Sequence, residues 1–217
     1  MKKAVLFGAS GFVGSYLLDE LLNNPDYEEV IVVVRKNLNI NHPKLSVLIG
    51  DYHSLPDLKE QIVADDVFIV LGTTKKKTPK QAEYYQIDHD YPVLAAKMAQ
   101  ENGATSVFVV TAIGANPKSS VFYVRTKGEA ERDITALNFE HTHIFRPSMI
   151  MGNRKEKPLV EKIMSGIWLV LNPLFIGNAN KYKGIRGENI AKAMNNAAKN
   201  QTEKVKIYHW AEMNDLL

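Results

Sequence analysis

The sequence predicts an α/β fold in which a doubly wound parallel sheet carries helices on both faces. Two observations support this prediction. Strand-like apolar runs alternate with stretches of helical spacing, and the first run ends in a glycine-rich turn that opens a helix. Because strands that alternate with helices form parallel sheets with both faces covered, this order favours the α/β class.

Seven apolar runs are predicted as strands, since each is short and most are rich in β-branched or aromatic residues. They cover residues 4–7, 30–34, 46–49, 67–71, 106–110, 143–145 and 205–208. Helical spacing predicts helices over residues 12–22, 80–102, 123–137, 157–171 and 188–198. Pro92 is expected to kink or split the second helix near Asp90, because proline lacks a backbone amide hydrogen.

The whole chain, 1–217, is predicted as one domain, since 217 residues with 45% hydrophobic content can bury a single core. From Ser148 onward the regular alternation of strands and helices is lost, and prolines and glycines interrupt the pattern. Residues 148–217 are therefore expected to cap the substrate side of the sheet rather than to extend it.

Composition and charge argue against several classes of function. The net charge of +3 is mild and its charges are interspersed, so no nucleic-acid partner is predicted. The chain has no cysteine, and His141 and His143 lack a third ligand nearby in sequence, so no disulfide and no metal site are predicted. The apolar stretch 163–176 is too short to span a bilayer, and the absence of a signal segment predicts a cytoplasmic location.

The glycine-rich turn after the first strand has the spacing G-x-x-G-x-x-G. It consists of Gly8, Ala9, Ser10, Gly11, Phe12, Val13 and Gly14. A strand that ends in such a turn and opens a helix lets the backbone approach a pyrophosphate, whose charge the helix dipole stabilises. The turn therefore predicts a nucleotide cofactor, and the Ser10 hydroxyl is a candidate phosphate ligand.

Arg35 and Lys36 follow the second strand, where an acidic residue would bind the ribose hydroxyls of NAD(H). Two basic residues at this position favour the 2′-phosphate of NADP(H) instead, so NADP(H) is preferred to NAD(H). The alternative is a solvated basic loop, since loops after strands are often charged. The same two interpretations, phosphate contact or solvated loop, apply to Lys75, Lys76 and Lys77.

Tyr123 and Lys127 are the candidate catalytic pair, because residues four apart lie on one face of a helix. A tyrosine can donate a proton to a carbonyl oxygen, and an adjacent ammonium is expected to lower its pKa toward neutrality. Thr111 follows the strand 106–110, where its hydroxyl is placed to hold the same carbonyl. This set predicts the reduction of a small carbonyl compound.

Three parts of the chain together resemble the short-chain dehydrogenase/reductase superfamily, which has a Rossmann-like fold. They are the glycine-rich turn at residues 8–14 (the elbow), the set Thr111, Tyr123 and Lys127, and residues 146–152. Residues 87–91, 113–116 and 123–131 resemble more narrowly the atypical branch that contains the HIV Tat-interacting protein 30 oxidoreductases and the NmrA-like proteins. The resemblance is strong from Lys2 to about Gly152 and weakens beyond.

The resemblance implies a role for each matching residue. The three elbow glycines would hold the pyrophosphate beside Phe12 and Val13, and Ser10, Arg35 and Lys36 would meet the 2′-phosphate. Further implied contacts are Asp51 with the adenine, Leu71, Gly72 and Thr73 with the adenine and ribose, Lys127 with the nicotinamide ribose, and Pro147 with the nicotinamide. This sequence departs from the family at Thr111, where many members have serine, and near Asp88, where many use asparagine in a proton relay.

The sequence therefore predicts an NADP(H)-binding carbonyl reductase with Tyr123 as proton donor. The alternative is a protein that binds NADP(H) as a redox sensor or regulator without efficient turnover, since the fold alone does not establish an enzyme. A sugar-nucleotide epimerase or dehydratase shares the fold but usually needs a larger substrate region than the segment after Met151. A homodimer and a monomer both stay open.

Overall fold

Parallel strands build the central sheet of the computed structural model, which describes residues 1–152 and 177–217. In this described part of the chain the sheet has seven strands, β1 (Lys2–Phe7), β2 (Tyr27–Val34), β3 (Leu45–Ile49), β4 (Asp66–Ile69), β5 (Ser106–Val110), β6 (His141–Phe145) and β9 (Val205–Tyr208). Two short strands, β7 (Ile150–Met151) and β8 (Ile185–Arg186), pair with each other in a second, separate sheet.

The strand order of the central sheet is β3-β2-β1-β4-β5-β6-β9, and every neighbouring pair is parallel. The direction of winding reverses between β1 and β4. In open sheets of this kind ligands bind outside the carboxyl ends of the strands at the point of reversal. The predicted doubly wound α/β fold is confirmed, and the elbow after β1 lies at this point.

Six α-helices connect or follow these strands in the described residues, namely α1 (Phe12–Asn23), α2 (Gln81–Tyr85), α3 (Tyr91–Glu101), α4 (Phe122–Ala136), α5 (Gly187–Ala197) and α6 (Trp210–Asn214). Two 3₁₀ helices cover Leu55–Gln61 and Gly177–Tyr182. The predicted helix 80–102 is divided into α2, a π-helical turn at Gln86–Asp90 and α3. Pro92 lies in the first turn of α3, directly after the π-helical turn, and because it has no amide hydrogen it donates no hydrogen bond to the preceding turn.

The core has two halves because strand side chains alternate between the faces of the sheet. On one face, Leu6, Phe68, Phe108 and Phe145 pack with the buried residues of α1 and α5. On the other face, Phe7, Ile69 and Val109 pack with α3 and with Ile134 of α4. Helices therefore cover both faces, as the sequence predicts.

The carboxyl-terminal third differs in part from the predicted cap. β9 joins the central sheet beside β6, and α5 packs on the same core as α1. This part extends the sheet because its apolar residues complete one half of the core, a contact that local spacing does not specify. The predicted helix 157–171 lies outside the described residues, so a substrate-side cap stays a prediction. No helix of the described chain has the length and apolar character to cross a membrane.

His143 lies inside the first half of the core. Its ring stacks on Phe108 at 4.6 Å between ring centroids, and its Nδ1 shares a hydrogen bond of 2.8 Å with the hydroxyl of Tyr208. Burial lowers the pKa of His143 to about 4, with smaller contributions from the positive charges of His141 and Lys206. His143 thus lies near His141 because it packs between the stacked rings of Phe108 and Tyr208.

We expect acid to destabilise the protein through His143. The unfolded chain binds this proton below about pH 6.5, whereas the folded chain binds it only near pH 4, so protonation favours the unfolded state. The free energy of unfolding should fall by about 2 kcal/mol between pH 7 and pH 5. Urea unfolding at both pH values measures this, and His143→Phe should remove most of the difference. An equal difference in that variant would contradict the assignment.

Candidate functional site

The elbow between β1 and α1 brings two backbone segments into close contact. Gly8 has a φ of +96°, and a Cβ there would lie 2.8 Å from the carbonyl oxygen of Val70. A Cβ on Gly14 would overlap the carbonyl oxygen of Gly8, while the Gly11 amide donates to that same oxygen at 2.9 Å. Larger residues at these positions would disrupt the turn, so glycine is required there for steric reasons.

The start of α1 is suited to bind an anion. Gly11 is its N-cap residue, and among the described residues no side chain caps this end. The first turn of α1 also holds no acidic residue, and Ser10 and Gly11 are exposed. Backbone amides at an uncapped helix start, with the positive end of the helix dipole, bind phosphate groups. The residues present therefore fit a pyrophosphate.

Two residues of the elbow also have a packing role. Val13 is buried in the core, and the ring of Phe12 packs against Gly152 and Gly187. A Cβ on Gly187 would come within 2.6 Å of the Phe12 ring. Gly187 was not predicted, and Gly152 was noted only within the segment 146–152, because the contact of each with Phe12 depends on residues far apart in the chain.

Arg35 and Lys36 are exposed at the end of β2, and Asp51 is exposed after β3. The carboxylate of Asp51 accepts hydrogen bonds from the amides of His53 at 3.0 Å and Ser54 at 3.2 Å, which lower its pKa. Burial and the charge of Asp51 raise the pKa of Tyr91 to about 12, and Arg35 opposes this rise. Arg35 follows β2 and Asp51 follows the neighbouring strand β3, so both lie at one end of the crevice along the carboxyl edge of the sheet.

The loop after β4 contains Leu71, Gly72 and Thr73. The Thr73 amide donates to Oδ2 of Asp88 at 2.8 Å. A Cβ on Gly72 would lie 3.6 Å from Oδ1 of Asp88 and 3.7 Å from Nζ of Lys127. The loop therefore lies directly beside the predicted catalytic lysine, although the two are distant in sequence.

One face of α4 carries Tyr123, Lys127 and Glu131 at intervals of four residues. Lys127 forms an ion pair of 2.6 Å with Asp88, and the two side chains are only 7% and 1% exposed. Tyr123 is 43% exposed at the end of the same face, so a molecule in the crevice can reach its ring. The predicted pair Tyr123 and Lys127 thus shares one face, with the cation buried and paired.

The pKa of Tyr123 differs in direction from the sequence-based expectation. Partial desolvation of the phenol, in a residue that is still 43% exposed, raises its pKa above the usual value, the charge of Lys127 lowers it, and the negative charge of Asp88 raises it. The expected lowering by Lys127 is present, but it is outweighed by burial and opposed by Asp88. The net shift of the Tyr123 pKa is therefore upward, whereas the spacing alone predicts a lowering.

Thr111 is buried and hydrogen-bonded to Glu131, a partner that the sequence analysis missed. Its Oγ1 donates to Oε1 of Glu131 at 2.5 Å, and Arg146 forms an ion pair with the same carboxylate. The Thr111 hydroxyl thus directs its proton to Glu131 rather than toward the crevice. The position of Glu131 four residues after Lys127, on the same helix face, was the available signal.

Pro147 follows Arg146 and is buried, and its carbonyl oxygen accepts a hydrogen bond of 3.0 Å from the amide of Ile113. The site thus combines the elbow, the loop after β4, the face of α4 and the segment after β6 at the carboxyl edge of the sheet. Arg35, Lys36 and Asp51 lie at its other end, after β2 and β3.

A family profile described as NAD(P)H-binding matches residues 8–167. This match includes the elbow, the loop after β4 and the face of α4 with Tyr123 and Lys127. The chain belongs to the NAD(P)H-binding family. The predicted resemblance to the atypical short-chain dehydrogenase/reductases is thereby confirmed. The family profile does not distinguish NAD(H) from NADP(H).

Two relatives show how the family extends over the chain. The protein "FMP52, mitochondrial" of Candida glabrata is 35% identical over 153 residues, which cover 70% of this chain and 66% of that protein. "FMP52-1, mitochondrial" of Scheffersomyces stipitis is 31% identical over 98% of this chain and 97% of its own. These names do not indicate the Tat-interacting protein 30 or NmrA-like branch, and they overturn the predicted cytoplasmic location.

Solved structures support the fold of this NAD(P)H-binding protein. The UDP-N-acetylglucosamine 4-epimerase of Methanobrevibacter ruminantium is similar with a TM-score of 0.70 and 20% identity, over 96% of this chain and 76% of that chain. The ADP-L-glycero-D-manno-heptose-6-epimerase of Helicobacter pylori gives 0.70 and 15%, over 99% and 80%. At these identities the similarity concerns the fold alone.

Proposed function

We propose that this NAD(P)H-binding protein is an NADP(H)-dependent reductase of small carbonyl compounds. The observation that carries the proposal is the common location of Tyr123, Lys127 and the anion-binding elbow at the carboxyl edge of the sheet. The bound coenzyme would supply the hydride. A proton donor and a cation beside the coenzyme site are the remaining requirements of carbonyl reduction.

Each part of the coenzyme would be bound by a different group of residues. The elbow with Phe12, Val13 and the start of α1 would bind the pyrophosphate, and Asp51 with the loop Leu71, Gly72 and Thr73 would border the adenine and its ribose. Ser10, Arg35 and Lys36 would bind the 2′-phosphate. Lys127 would bind the nicotinamide ribose, and Pro147 would lie against the nicotinamide.

Tyr123 would act as the proton donor. As the carbonyl oxygen gains negative charge, the phenol transfers its proton to that oxygen, and the product is an alcohol. The phenolate left behind is stabilised by the ammonium of Lys127 and regains a proton from solvent. Thr111 would have a structural role instead of holding the carbonyl. Its hydrogen bond to Glu131 would fix the carboxyl end of β5 against α4.

Titration calorimetry with NADPH and NADH, followed by NADPH oxidation with a panel of aldehydes, ketones and quinones, tests the proposal. Preferential binding of NADPH with turnover of at least one carbonyl class is the expected result. Absence of binding to both coenzymes, or binding without turnover of any class, would contradict the reductase.

We expect Arg35→Ala to weaken the binding of NADPH much more than that of NADH. Loss of a charge-assisted contact with the 2′-phosphate costs about 2 kcal/mol, so the Kd for NADPH should rise about 30-fold. NADH lacks that phosphate, and its Kd should change less than about threefold. Calorimetry with both coenzymes measures the effect, and Lys204→Ala, before β9 at the opposite edge, is the control. Equal losses for both coenzymes would refute the role of Arg35.

A redox sensor or regulator without efficient turnover is the second candidate function. It is favoured by the Asp88–Lys127 ion pair, which engages the cation, and by the raised pKa of Tyr123, which makes the phenol a weaker proton donor. Tight binding of NADPH without oxidation by any carbonyl class would support this candidate over the reductase.

A further inference from the structure

The excess positive charge of the chain is concentrated in the segment that follows β4. Residues 71–85 contain four lysines and one glutamate, which give +3, the net charge of the whole chain. All other residues together therefore carry equal numbers of basic and acidic side chains. Lys75, Lys76 and Lys77 form the centre of this segment, and all three are exposed. A concentration of one sign of charge at the carboxyl edge of the sheet requires an account of what it attracts.

The loop that carries these lysines, residues 74–78, is closed into a defined turn. The hydroxyls of Thr73 and Thr78 share a hydrogen bond of 2.8 Å, and the Thr78 amide donates to the carbonyl oxygen of Thr74 at 2.9 Å. Thr78 is buried, so the end of the turn is anchored while its lysines face solvent. This lysine loop, residues 74–78, therefore presents its charges at a constant place on the molecule.

Two contacts place the lysine loop beside the predicted proton donor. The hydroxyl of Tyr84 donates to the carbonyl oxygen of Thr73 at 3.3 Å. The ring of Tyr84 packs edge-on against that of Phe122, with 5.7 Å between the ring centroids. Phe122 directly precedes Tyr123 at the start of α4, where Tyr123 is exposed to the crevice. The lysine loop therefore lies at the rim of the crevice on the side of Tyr123.

The charge of the lysine loop is not balanced by carboxylates in the part of the chain that the structure describes. Lys80, just after the loop, forms an ion pair of 2.9 Å with Glu83. Lys75 and Lys76 form no ion pair with any residue of 1–152 or 177–217. Clefts bordered by one sign of charge raise the local concentration of ligands of the opposite sign. This rim is therefore suited to an anionic ligand.

We propose that the lysine loop binds the anionic group of the carbonyl substrate, so that the enzyme prefers carbonyl compounds with a carboxylate or phosphate group to neutral ones. This inference rests on the proposed function, because it names the substrate class of the same site. The carbonyl then lies at Tyr123 and the anionic group at the rim. Lysines bind as flexible point charges, so the lysine loop selects for charge rather than for one exact shape.

The test compares para-acetylbenzoate with its methyl ester, two ketones of similar size of which only the first is charged. Their reduction by NADPH is measured in the unmodified protein and in the double variant Lys75→Gln with Lys76→Gln. The variant should lose about fivefold in kcat/KM for para-acetylbenzoate, as expected for two exposed charge contacts, and less than about twofold for the ester. Equal changes for the two ketones would overturn the proposal. Both lysines are exposed, so the variant should fold normally.

A matched control variant removes the same amount of charge elsewhere. Lys199→Gln with Lys204→Gln acts at the opposite edge of the sheet, because Lys204 precedes β9 and Lys199 lines a cavity with Lys2 at the start of β1. This control should leave the kinetics of both ketones close to those of the unmodified protein. A loss as large as that in the loop variant would show that net charge alone attracts the substrate, which overturns the lysine loop as a binding site.

A phosphate of the coenzyme is the other ligand that could use the same charges, and calorimetry with NADPH distinguishes the two. In the loop variant the Kd for NADPH should change less than about twofold. A loss of NADPH affinity as large as the loss for para-acetylbenzoate would assign the lysine loop to the coenzyme and overturn the proposal. The preference for para-acetylbenzoate should also weaken as ionic strength rises, because salt screens exposed charges. A preference independent of salt would contradict the proposed contact.

Binding to the complex with NADP⁺ separates this inference from the reductase function. NADP⁺ cannot deliver a hydride to a ketone, so calorimetry of this complex measures the binding of both ketones without turnover. Tighter binding of para-acetylbenzoate that depends on Lys75 and Lys76, in a protein that reduces no carbonyl compound, would contradict the reductase and leave the anion site in place. Turnover of both ketones without a preference for the anion would contradict only the role of the lysine loop.

Discussion

Replacement of Tyr123 by phenylalanine should lower the turnover of NADPH-dependent carbonyl reduction by about 10³-fold, which is typical of the loss of a positioned proton donor. The binding of NADPH should change less than about twofold, because the phenol contacts the carbonyl and not the pyrophosphate or the 2′-phosphate. Steady-state kinetics with the most active carbonyl compound and calorimetry with NADPH measure the two effects on one preparation.

The matched control is Tyr85→Phe, a phenol on α2 that stacks on His89 at 4.5 Å between ring centroids, outside the site. Its turnover should stay close to that of the unmodified enzyme. If Tyr123→Phe retained full turnover, another group would have to donate the proton and the assignment of Tyr123 would fail. If NADPH binding fell together with turnover, the loss would reflect damage to the coenzyme site.

The substitution Gly14→Ala should weaken NADPH binding more than tenfold and lower the free energy of unfolding by about 2 kcal/mol. The new methyl group would overlap the carbonyl oxygen of Gly8, and it would also meet the side chain of Val70 at 3.0 Å. A shift of the elbow would relieve this overlap and displace the backbone that approaches the pyrophosphate. Calorimetry and urea unfolding measure the two losses.

Gly103→Ala is the control for a glycine outside the site. Gly103 follows α3 with a φ of +96°, and the surrounding space within 4 Å is open to a methyl group. The variant should lose about 1 kcal/mol of stability from the left-handed backbone and keep its affinity for NADPH. An affinity in Gly14→Ala equal to that of Gly103→Ala would show that the elbow does not hold the coenzyme.

The electrostatics of the site show why a residue pattern alone does not define a catalytic group. The spacing of Tyr123 and Lys127 gives the distance along the helix and the sign of one interaction. It contains no information on Asp88, which approaches from the other wall of the crevice and opposes the effect of Lys127. Lys127 lowers the pKa of Tyr123 as the spacing predicts, but desolvation and Asp88 raise it, and these two contributions cannot be read from the spacing.

The sequence by itself determined the α/β class, the positions of the seven strands of the central sheet and the glycine turn that opens α1, but not the short strands β7 and β8. These features depend on local properties, namely the periodicity of apolar residues and the steric freedom of glycine, which are readable within a few residues. The family match to residues 8–167 agrees with that local signal.

Only the tertiary structure decided how the polar groups of the site are paired. Thr111 bonds to Glu131 across 20 positions, Glu131 to Arg146 across 15, and Lys127 to Asp88 on a turn of another helix. The place of β9 in the central sheet was likewise a matter of tertiary contacts. Buried charges and edge strands take whichever partner the packing of distant segments supplies, and the free energy of each pairing depends on burial that no local pattern specifies.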